Sequence, residues 1–433
     1  MNRCYQIIKL FLFVSIWISC RQKNLETIAG IDVIDIVNNL GQYQEIKAST
    51  YVSDFEYIPL ETNENCLVGY VRNILINSSR IFVAGSNFCY VFNNNGRFIS
   101  KIGSVGQGPG EYQFITGLSI DEKNQSVYLE TTRSILEYSY DGVFQRIINK
   151  PQNMNEEYVQ ESTFVCDKLF IGHFPNRGKE MYNFCLFNDA GQVIKTFDNY
   201  EQFERNGNWV SFSDQSMKPF KVEQHLYVKE NANDTLFCLN EENELVPKYV
   251  FNLGKYTLPK HLREERTNIS SQSSSSQYKD VLVIPDDNYP MVGAADYIFF
   301  SVKTFSENII PLPKGNVQTL NVFGQNYDVN VSLPLGIYHI LEKKIFFLET
   351  DPISNMLGLV NDLDGGLSFW PKYYTSENEL IGIWQAYEMK ALLTEAYFAA
   401  HEIKKPQAHQ KLKELLKNLD EEDNPVVVIA KLK

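Results

Sequence analysis

The chain has 433 residues, of which 44% are hydrophobic, 13% aromatic and 21% charged. That length allows two or three ordinary domains or one large repeat architecture, and the many aromatic side chains favour half-buried β-structure. The formal net charge of −13 excludes a protein held to nucleic acid by its general electrostatic field, because phosphate contacts need clustered lysine and arginine.

Residues 1–20 have the features of an export signal. Arg3 lies in a short polar start, and a mainly apolar run from Ile7 to Ile18 leads to Cys20. The tetrad from Trp17 to Cys20 resembles the lipobox of bacterial lipoproteins, in which the cysteine is acylated and becomes the mature N-terminus. We therefore predict lipidation of Cys20 and a location at the cell envelope, on the periplasmic face or the cell surface. An ordinary secretory signal cut nearby is the alternative.

From residue 68 onward, a pattern of apolar alternation, turn and strand repeats along the chain. Its clearest marks are hairpin turns at Gly96, Gly142, Gly191 and Asn243, which are 46, 49 and 52 residues apart. Tight hairpin turns need a positive φ, which glycine and asparagine adopt at low cost. The spacing is close to the roughly 40 to 50 residues of a four-stranded propeller blade, so it predicts four successive blades.

Two further blades are predicted after a less regular stretch. Residues 255–280 contain a charged run and a serine-rich segment, 268–277, which we expect to form an excursion with a mobile tip. The fifth blade is expected to use residues 296–305, 337–341 and 344–348. The sixth is expected to use residues 357–360, 367–370 and 379–383.

The C-terminal part departs from the strand pattern. Apolar residues at helical spacing predict two amphipathic helices, broken at Pro406, within an insertion over residues 385–420. A β-branched run at 426–432 predicts a last strand that closes the ring beside early or late strands. The predicted organisation is a signal peptide at 1–20, a tether and N-terminal strand at 21–50, and an all-β, six-bladed β-propeller at 51–433.

Several segments carry a resemblance to a known family. They are GQGPGEY at 106–112, NDTLFCLN at 233–240, NDLDGGLSFWPKY at 361–373 and NPVVVIAKLK at 424–433. Together they resemble the six-bladed β-propeller lipoproteins of unknown function found in gut-type Gram-negative anaerobes, with NHL- or TolB-like blades. The resemblance implies a propeller fold over nearly the whole mature chain, and it supplies no catalytic residues to transfer.

The glycine-rich segment 106–112 has two interpretations. Its glycines could let backbone N–H groups approach an anionic ligand, or they could form a tight crossover between blades, stiffened by Pro109. The candidate residues are Gly106, Gln107, Gly108, Pro109, Gly110, Glu111 and Tyr112.

Three residues within the sixth predicted blade are candidates for the mouth of the central channel. Asp362 and Asp364 resemble the opening of a calcium loop, although the downstream acidic ligands do not fit and a turn is the simpler interpretation. Trp370 could stack on a sugar, whereas large aromatic residues of β-proteins usually lie in the core.

The sequence favours a binding scaffold over an enzyme. It lacks the common protease, hydrolase, phosphate-loop and EF-hand motifs, and its six histidines are scattered. We therefore predict no catalytic residue, metal site or cofactor, and a monomer that binds a protein, glycan or small molecule. The alternative is a propeller hydrolase or lactonase using Glu111, Asp362 and Asp364. Contact with the membrane is expected through the lipid anchor only, because no later apolar stretch is long enough to span it.

Overall fold

Six sheets arranged in a ring form the body of the protein in the computed structural model, which confirms the predicted six-bladed β-propeller. The structure describes residues 27–28, 30–204, 217, 219–222, 225–230, 233–259, 281–285, 289–304, 317–322, 325–330, 333–374 and 379–433. Cys20 and the serine-rich segment 268–277 lie outside these residues.

The core of each blade is a four-stranded antiparallel sheet. Blade 1 contains Asn73–Ile76, Arg80–Ala84, Cys89–Asn93 and Phe98–Lys101. Blade 2 contains Gly117–Asp121, Ser126–Glu130, Ser134–Ser139 and Phe144–Asn149. Blade 3 contains Glu161–Phe164, Leu169–His173, Tyr182–Asn188 and Val193–Asp198. Blade 4 contains Phe220–Val222, His225–Val228, Thr235–Leu239 and Leu245–Asn252. Blade 5 contains Val292–Ala294, Tyr297–Ser301, Leu335–His339 and Lys344–Leu348. Blade 6 contains Tyr373–Tyr374, Glu379–Trp384, Val426–Leu432 and Val52–Pro59.

Short strand pairs lie in the connections between these strands. Ser104–Val105 pairs in parallel with Glu111–Tyr112, and Leu282–Val283 pairs with Lys303–Thr304. The connection between the second and third strands of blade 5 contains a hairpin of Val317–Val322 and Gln325–Asn330.

Apolar side chains fill the spaces between the blades. Phe92 and Val427 belong to a cluster between blades 1 and 6, while Tyr249 and Phe300 belong to one between blades 4 and 5. The first strands of neighbouring blades contact one another, as expected for strands that line a central channel. The middle strands of the blades are buried on both faces, so packing between neighbouring blades holds the ring together.

The four turn residues predicted from the repeat spacing have the required backbone conformation. Gly96, Gly142, Gly191 and Asn243 have φ values of 77°, 82°, 75° and 56°. Each follows the third strand of its blade, so the spacing of these residues in the sequence equals the number of residues from one blade to the next.

The N-terminal segment follows the outer edges of two blades. Thr27–Ile28 pairs with Ile31–Asp35, which adds in parallel to the fourth strand of blade 4. Tyr43–Gln44 then adds in parallel to the fourth strand of blade 5. Lys343 reaches back to Asp32 at 2.6 Å. Residues 31–44 therefore cover two sheet edges, which protects the edges from pairing with other chains.

Blade 6 closes the ring with strands from both ends of the chain. Val426–Leu432 lies between Glu379–Trp384 and Val52–Pro59 and pairs with both. The predicted closing strand therefore has the predicted bounds. The expected strands at 357–360 and 367–370 meet only at the Leu359–Phe369 bridge, outside the four-stranded sheet, because they belong to the connection between blades 5 and 6.

The C-terminal insertion contains Ala386–Leu392, Glu395–Ala400 and Pro406–Asn418 as helices. The first predicted helix is divided in two because the side chain of Thr394 accepts a hydrogen bond from the amide of Tyr397 and begins a new helix. Pro406 begins the third helix, where its missing N–H has no cost. Within the described ranges, no helix has the length and apolar character needed to cross a membrane.

One face of the ring collects two kinds of connection. Because strand direction alternates, the links from the fourth strand of one blade to the first strand of the next lie on the same face as the links between second and third strands. We call this the crossover face. Its described segments include residues 60–72, 85–88, 102–116, 131–133, 150–160, 174–181, 199–204, 349–372 and 385–425.

Candidate functional site

The glycine-rich segment 106–112 is the crossover from blade 1 to blade 2. Gly110 has a φ of 73°, and its carbonyl accepts a hydrogen bond of 2.7 Å from the Tyr138 hydroxyl of blade 2. The Tyr112 side chain is buried in the apolar cluster between the two blades. These contacts give the segment a structural role in joining the blades.

One backbone amide of the same segment already binds the carboxylate of Glu111, which belongs to the segment itself. The Gly108 amide donates to the carboxylate of Glu111 at 2.8 Å, and the Gly106 amide donates to the Tyr112 carbonyl at 3.0 Å. An external anion would have to displace Glu111, which costs the hydrogen bond to its charged carboxylate. Gln107, Gly108 and Pro109 are exposed, and their role as a ligand loop stays a prediction.

Asp362 links the C-terminal insertion to the segment that precedes Val52–Pro59, the outer strand of blade 6. Its carboxylate accepts hydrogen bonds from the Ser49 amide at 2.9 Å and hydroxyl at 2.6 Å, and it pairs with Lys404 at 2.7 Å. Burial acts to raise the pKa of Asp362, but Lys404 and Ser49 together hold that pKa below its ordinary value. The ionised Asp362 carboxylate therefore connects Ser49 and Lys404, which are far apart in the sequence.

Asp364 has a different environment two residues further on. One carboxylate oxygen accepts hydrogen bonds from the Tyr57 hydroxyl at 3.0 Å, the Asn361 amide group at 2.8 Å and the Gly366 amide at 2.9 Å. Burial raises the pKa of Asp364 above its ordinary value, although these donors favour the ionised form. His409 of the third helix contacts the Asp364 carbonyl at 2.7 Å.

The three candidates for the channel mouth lie inside the protein. Asp362 and Asp364 are each 1% exposed, and Trp370 is 5% exposed and packs edge-on against Phe299 with ring centroids 5.6 Å apart. The two aspartates contact the helical insertion, and Trp370 belongs to the apolar cluster between blades 5 and 6, so none of the three is open to a channel ligand. Glu111 lies between blades 1 and 2, so the structure does not bring the three carboxylates into one site.

A polar network that the sequence analysis missed crosses blades 2, 3 and 4 on the crossover face. Glu130, at the end of the second strand of blade 2, pairs with Lys150 at 2.7 Å and accepts from the Ser162 hydroxyl at 2.6 Å. His173, at the end of the second strand of blade 3, contacts Glu230 of blade 4 at 2.7 Å.

The network is buried and continues within blade 3. Asn183 donates to the second carboxylate oxygen of Glu230 at 2.8 Å. His173 is 0% exposed, and its Nδ1 atom has no hydrogen-bond partner within the part of the chain that the structure describes. Glu130, His173 and Ser301 are the last residues of their second strands, so an alignment of the repeats could have found the shared position.

A cleft opens beside this network on blade 3. Its volume is about 220 Å³, and its lining residues are Asn153, Met154, Asn155, Lys179, Glu180, Met181 and Tyr182. They come from the crossover between blades 2 and 3, from the loop between the second and third strands of blade 3, and from Tyr182 at the start of that third strand. We call this the blade 3 cleft.

Exposed apolar side chains are unevenly distributed between the two faces. Among the described residues, those in the connections of the crossover face are Leu67, Tyr70, Val105, Phe114, Met154, Met181, Tyr200, Ile353, Tyr387 and Leu392. The connections of the opposite face expose Val143 and Leu341. The others lie on the fourth strands of blades, at Ile99, Ile147, Val193, Ile194 and Val246. Among the described residues, the connections of the crossover face therefore expose ten large apolar side chains, and those of the opposite face expose two.

Possible metal ligands do not cluster in the described part of the chain. No group of three or more histidine, cysteine, aspartate or glutamate side chains there has the arrangement to hold an ion.

Comparison with solved structures identifies proteins of similar fold. A candidate exported protein from Bacteroides fragilis matches with a TM-score of 0.64 and 16% identity, covering 93% of this chain and 99% of that one. A member of the DUF4221 family from Bacteroides vulgatus matches with a TM-score of 0.45 and 11% identity, covering 88% and 97% of the two chains. Virginiamycin B lyase from Staphylococcus aureus matches with a TM-score of 0.36 and 11% identity, covering 70% and 76%. The first of these likenesses shows a shared fold.

Sequence comparison identifies the family. No curated protein matches the chain. The family model of DUF4934, a domain of unknown function, matches residues 31–431, which include all six blades and the helical insertion. The chain therefore belongs to the DUF4934 family of β-propeller proteins.

Proposed function

We propose that this protein is a lipid-anchored binding propeller of the cell envelope, and that its crossover face binds a macromolecular partner. The ten large apolar side chains that the described connections of that face expose are the observation that carries the proposal. Exposed apolar surface is costly in water, and where such side chains form a patch they commonly mark an interaction site. A ring of connections supported by rigid blades also suits binding, because the blades hold the loops in place.

Site-specific photocrosslinking in cells tests which face is used. Benzoylphenylalanine in place of Tyr70 or Phe114, on the crossover face, is expected to give discrete adducts after irradiation. The same group in place of Val143 or Leu341, on the opposite face, is expected to give none. Adducts of equal yield from both faces, or from the opposite face alone, would contradict the proposal. The comparison is matched because all four side chains are exposed and apolar.

The anchoring part of the proposal rests on Cys20 and on where the folded chain begins. Thr27 pairs at the outer edge of blade 4. An extended chain spans at most about 3.6 Å per residue, so an acyl group on Cys20 would lie within roughly 25 Å of that edge. The propeller would therefore be held close to the membrane surface.

Replacing Cys20 tests the anchor directly. The Cys20→Ala variant is expected to move from the membrane fraction to the soluble fraction, because it lacks the thiol that is acylated. Mass spectrometry of the N-terminal peptide of the unaltered protein should show the added acyl mass. The Cys66→Ala variant is a suitable control, because that thiol lies in the propeller and should leave partitioning unchanged. Membrane association that survives Cys20→Ala would refute lipid anchoring.

A further inference from the structure

We infer that the blade 3 cleft binds an apolar side chain from a basic polypeptide segment. This inference rests on the proposed function, because it specifies the ligand class for one site on the crossover face.

The rim of the cleft consists of two exposed methionines. Met154 is 79% exposed and Met181 is 65% exposed, and they come from the two different loops that form the cleft. Methionine is unbranched and adapts to the shape of an apolar partner, which is why it recurs at surfaces that bind peptides. The two side chains can close around one inserted apolar group.

Asn153 is one of the residues that line the cleft, and its side chain carries a hydrogen-bond donor. Its Oδ1 atom accepts hydrogen bonds from the amides of Asn155 at 2.9 Å and Glu157 at 3.0 Å, which fixes the orientation of the side chain. Its Nδ2 atom is buried and has no hydrogen-bond partner within the described ranges. A buried donor without an acceptor is unfavourable, so a ligand carbonyl at this position would be stabilised.

The connections around the cleft carry more negative than positive charge. Arg177 pairs with Glu157 at 2.6 Å, and Lys179 lies 3.5 Å from Glu204. In residues 150–160, 174–181 and 199–204 the acidic residues are Glu156, Glu157, Glu180, Glu201 and Glu204, against the basic residues Lys150, Arg177 and Lys179. This surplus favours a segment that carries lysine or arginine beside its apolar group.

The cleft suits a polypeptide better than a sugar. A sugar ring would stack on a flat and accessible aromatic face, and Tyr182 is the aromatic residue of the lining. Its ring is held edge-on against Phe174, with centroids 5.5 Å apart and planes at 71°. A peptide offers both the carbonyl for Asn153 and a flexible apolar side chain for the methionines.

Defined fluorescent peptides test the inference on the full mature protein. The probe is a capped Lys-Leu-Lys-Leu-Lys peptide, compared with Lys-Gly-Lys-Gly-Lys and Glu-Leu-Glu-Leu-Glu by fluorescence anisotropy. The leucine and lysine probe is expected to bind at least about tenfold more tightly than either comparison peptide. The double variant Met154→Ser, Met181→Ser is expected to lose at least about tenfold in affinity. Val143→Ser on the opposite face is the matched control and should bind normally.

The Asn153→Asp variant separates hydrogen bonding from charge. It keeps the oxygen that accepts from the two amides and replaces the Nδ2 donor with a second oxygen. It also adds negative charge, which would strengthen a purely electrostatic attraction to the basic probe. Weaker binding by Asn153→Asp therefore supports the donor role, and tighter binding overturns it.

Other outcomes also decide the inference. Equal binding of the leucine and glycine probes, or normal binding by the double methionine variant, would refute an apolar pocket. Thermal stabilisation by cellohexaose or mannohexaose without peptide binding would assign the cleft to glycans instead. If crosslinking from the crossover face succeeds while the blade 3 variants have no effect on the peptide probe, the cleft inference fails and the proposed function stands.

Discussion

Removal of residues 426–433 is expected to abolish cooperative folding of the propeller. These residues include the strand Val426–Leu432, whose neighbours in blade 6 are Glu379–Trp384 and Val52–Pro59. Its residues 426–430 are buried, and each large apolar side chain of this kind contributes about 1.5 to 3 kcal/mol. The loss is comparable to the roughly 5 to 15 kcal/mol by which a whole domain is stable. Thermal unfolding followed by circular dichroism should therefore show no cooperative transition.

A matched substitution shows whether the effect comes from the core of the strand. Lys431 lies on the same strand, its side chain is 46% exposed, and it pairs with Glu56 at 2.9 Å. Exposed pairs contribute about 1 kcal/mol or less, so Lys431→Ala should unfold cooperatively close to the unaltered protein. A truncated chain that melts as cooperatively as Lys431→Ala would show that blades 1 to 5 are stable without the closing strand.

The Gly96→Ala variant is expected to lose at least about 3 kcal/mol of unfolding free energy. Gly96 has a φ of 77°, and a Cβ there would overlap the carbonyl oxygen of Pro59, the last residue of the neighbouring outer strand. The amide of Glu61 also donates to the Gly96 carbonyl at 2.8 Å, so the turn has little room to move. The cost therefore adds a steric overlap to the left-handed backbone penalty of about 1 to 2 kcal/mol. Urea unfolding measures it.

Gly30 provides the control for the backbone penalty alone. It has a φ of 88°, and a Cβ there would meet no atom within 4 Å. Gly30→Ala should therefore lose only about 1 to 2 kcal/mol. Equal losses for the two variants would mean that the contact between blades 1 and 6 at this turn tolerates a methyl group.

The blades could be predicted because their signals are local. A period of two along each strand and a turn residue with positive φ lie within a few residues of each other, and Gly96, Gly142 and Gly191 recur at nearly constant spacing. The bounds of the closing strand could be predicted for the same reason, because its β-branched run is short and has clear ends. In contrast, the number of helices depended on the cap at Thr394, whose sequence signal is weak.

The candidate site was less predictable because it depends on contacts between distant residues. Asp362 and Asp364 have the composition of an exposed acidic turn, yet Lys404 and Tyr57 cover them once the helical insertion packs on blade 6. The pair of His173 and Glu230 joins two blades, and neither residue has a local motif.

The sequence by itself determined the blade repeat, the helical insertion and the strand that closes the ring. Only the tertiary structure decided which connections expose apolar side chains, where the buried carboxylates lie, and that Asn153 and Met181 line one cleft. The physical reason is the range of the interactions involved. Turns and strand alternation are set by neighbouring residues, whereas burial, pKa shifts and clefts arise when the ring brings distant loops into contact.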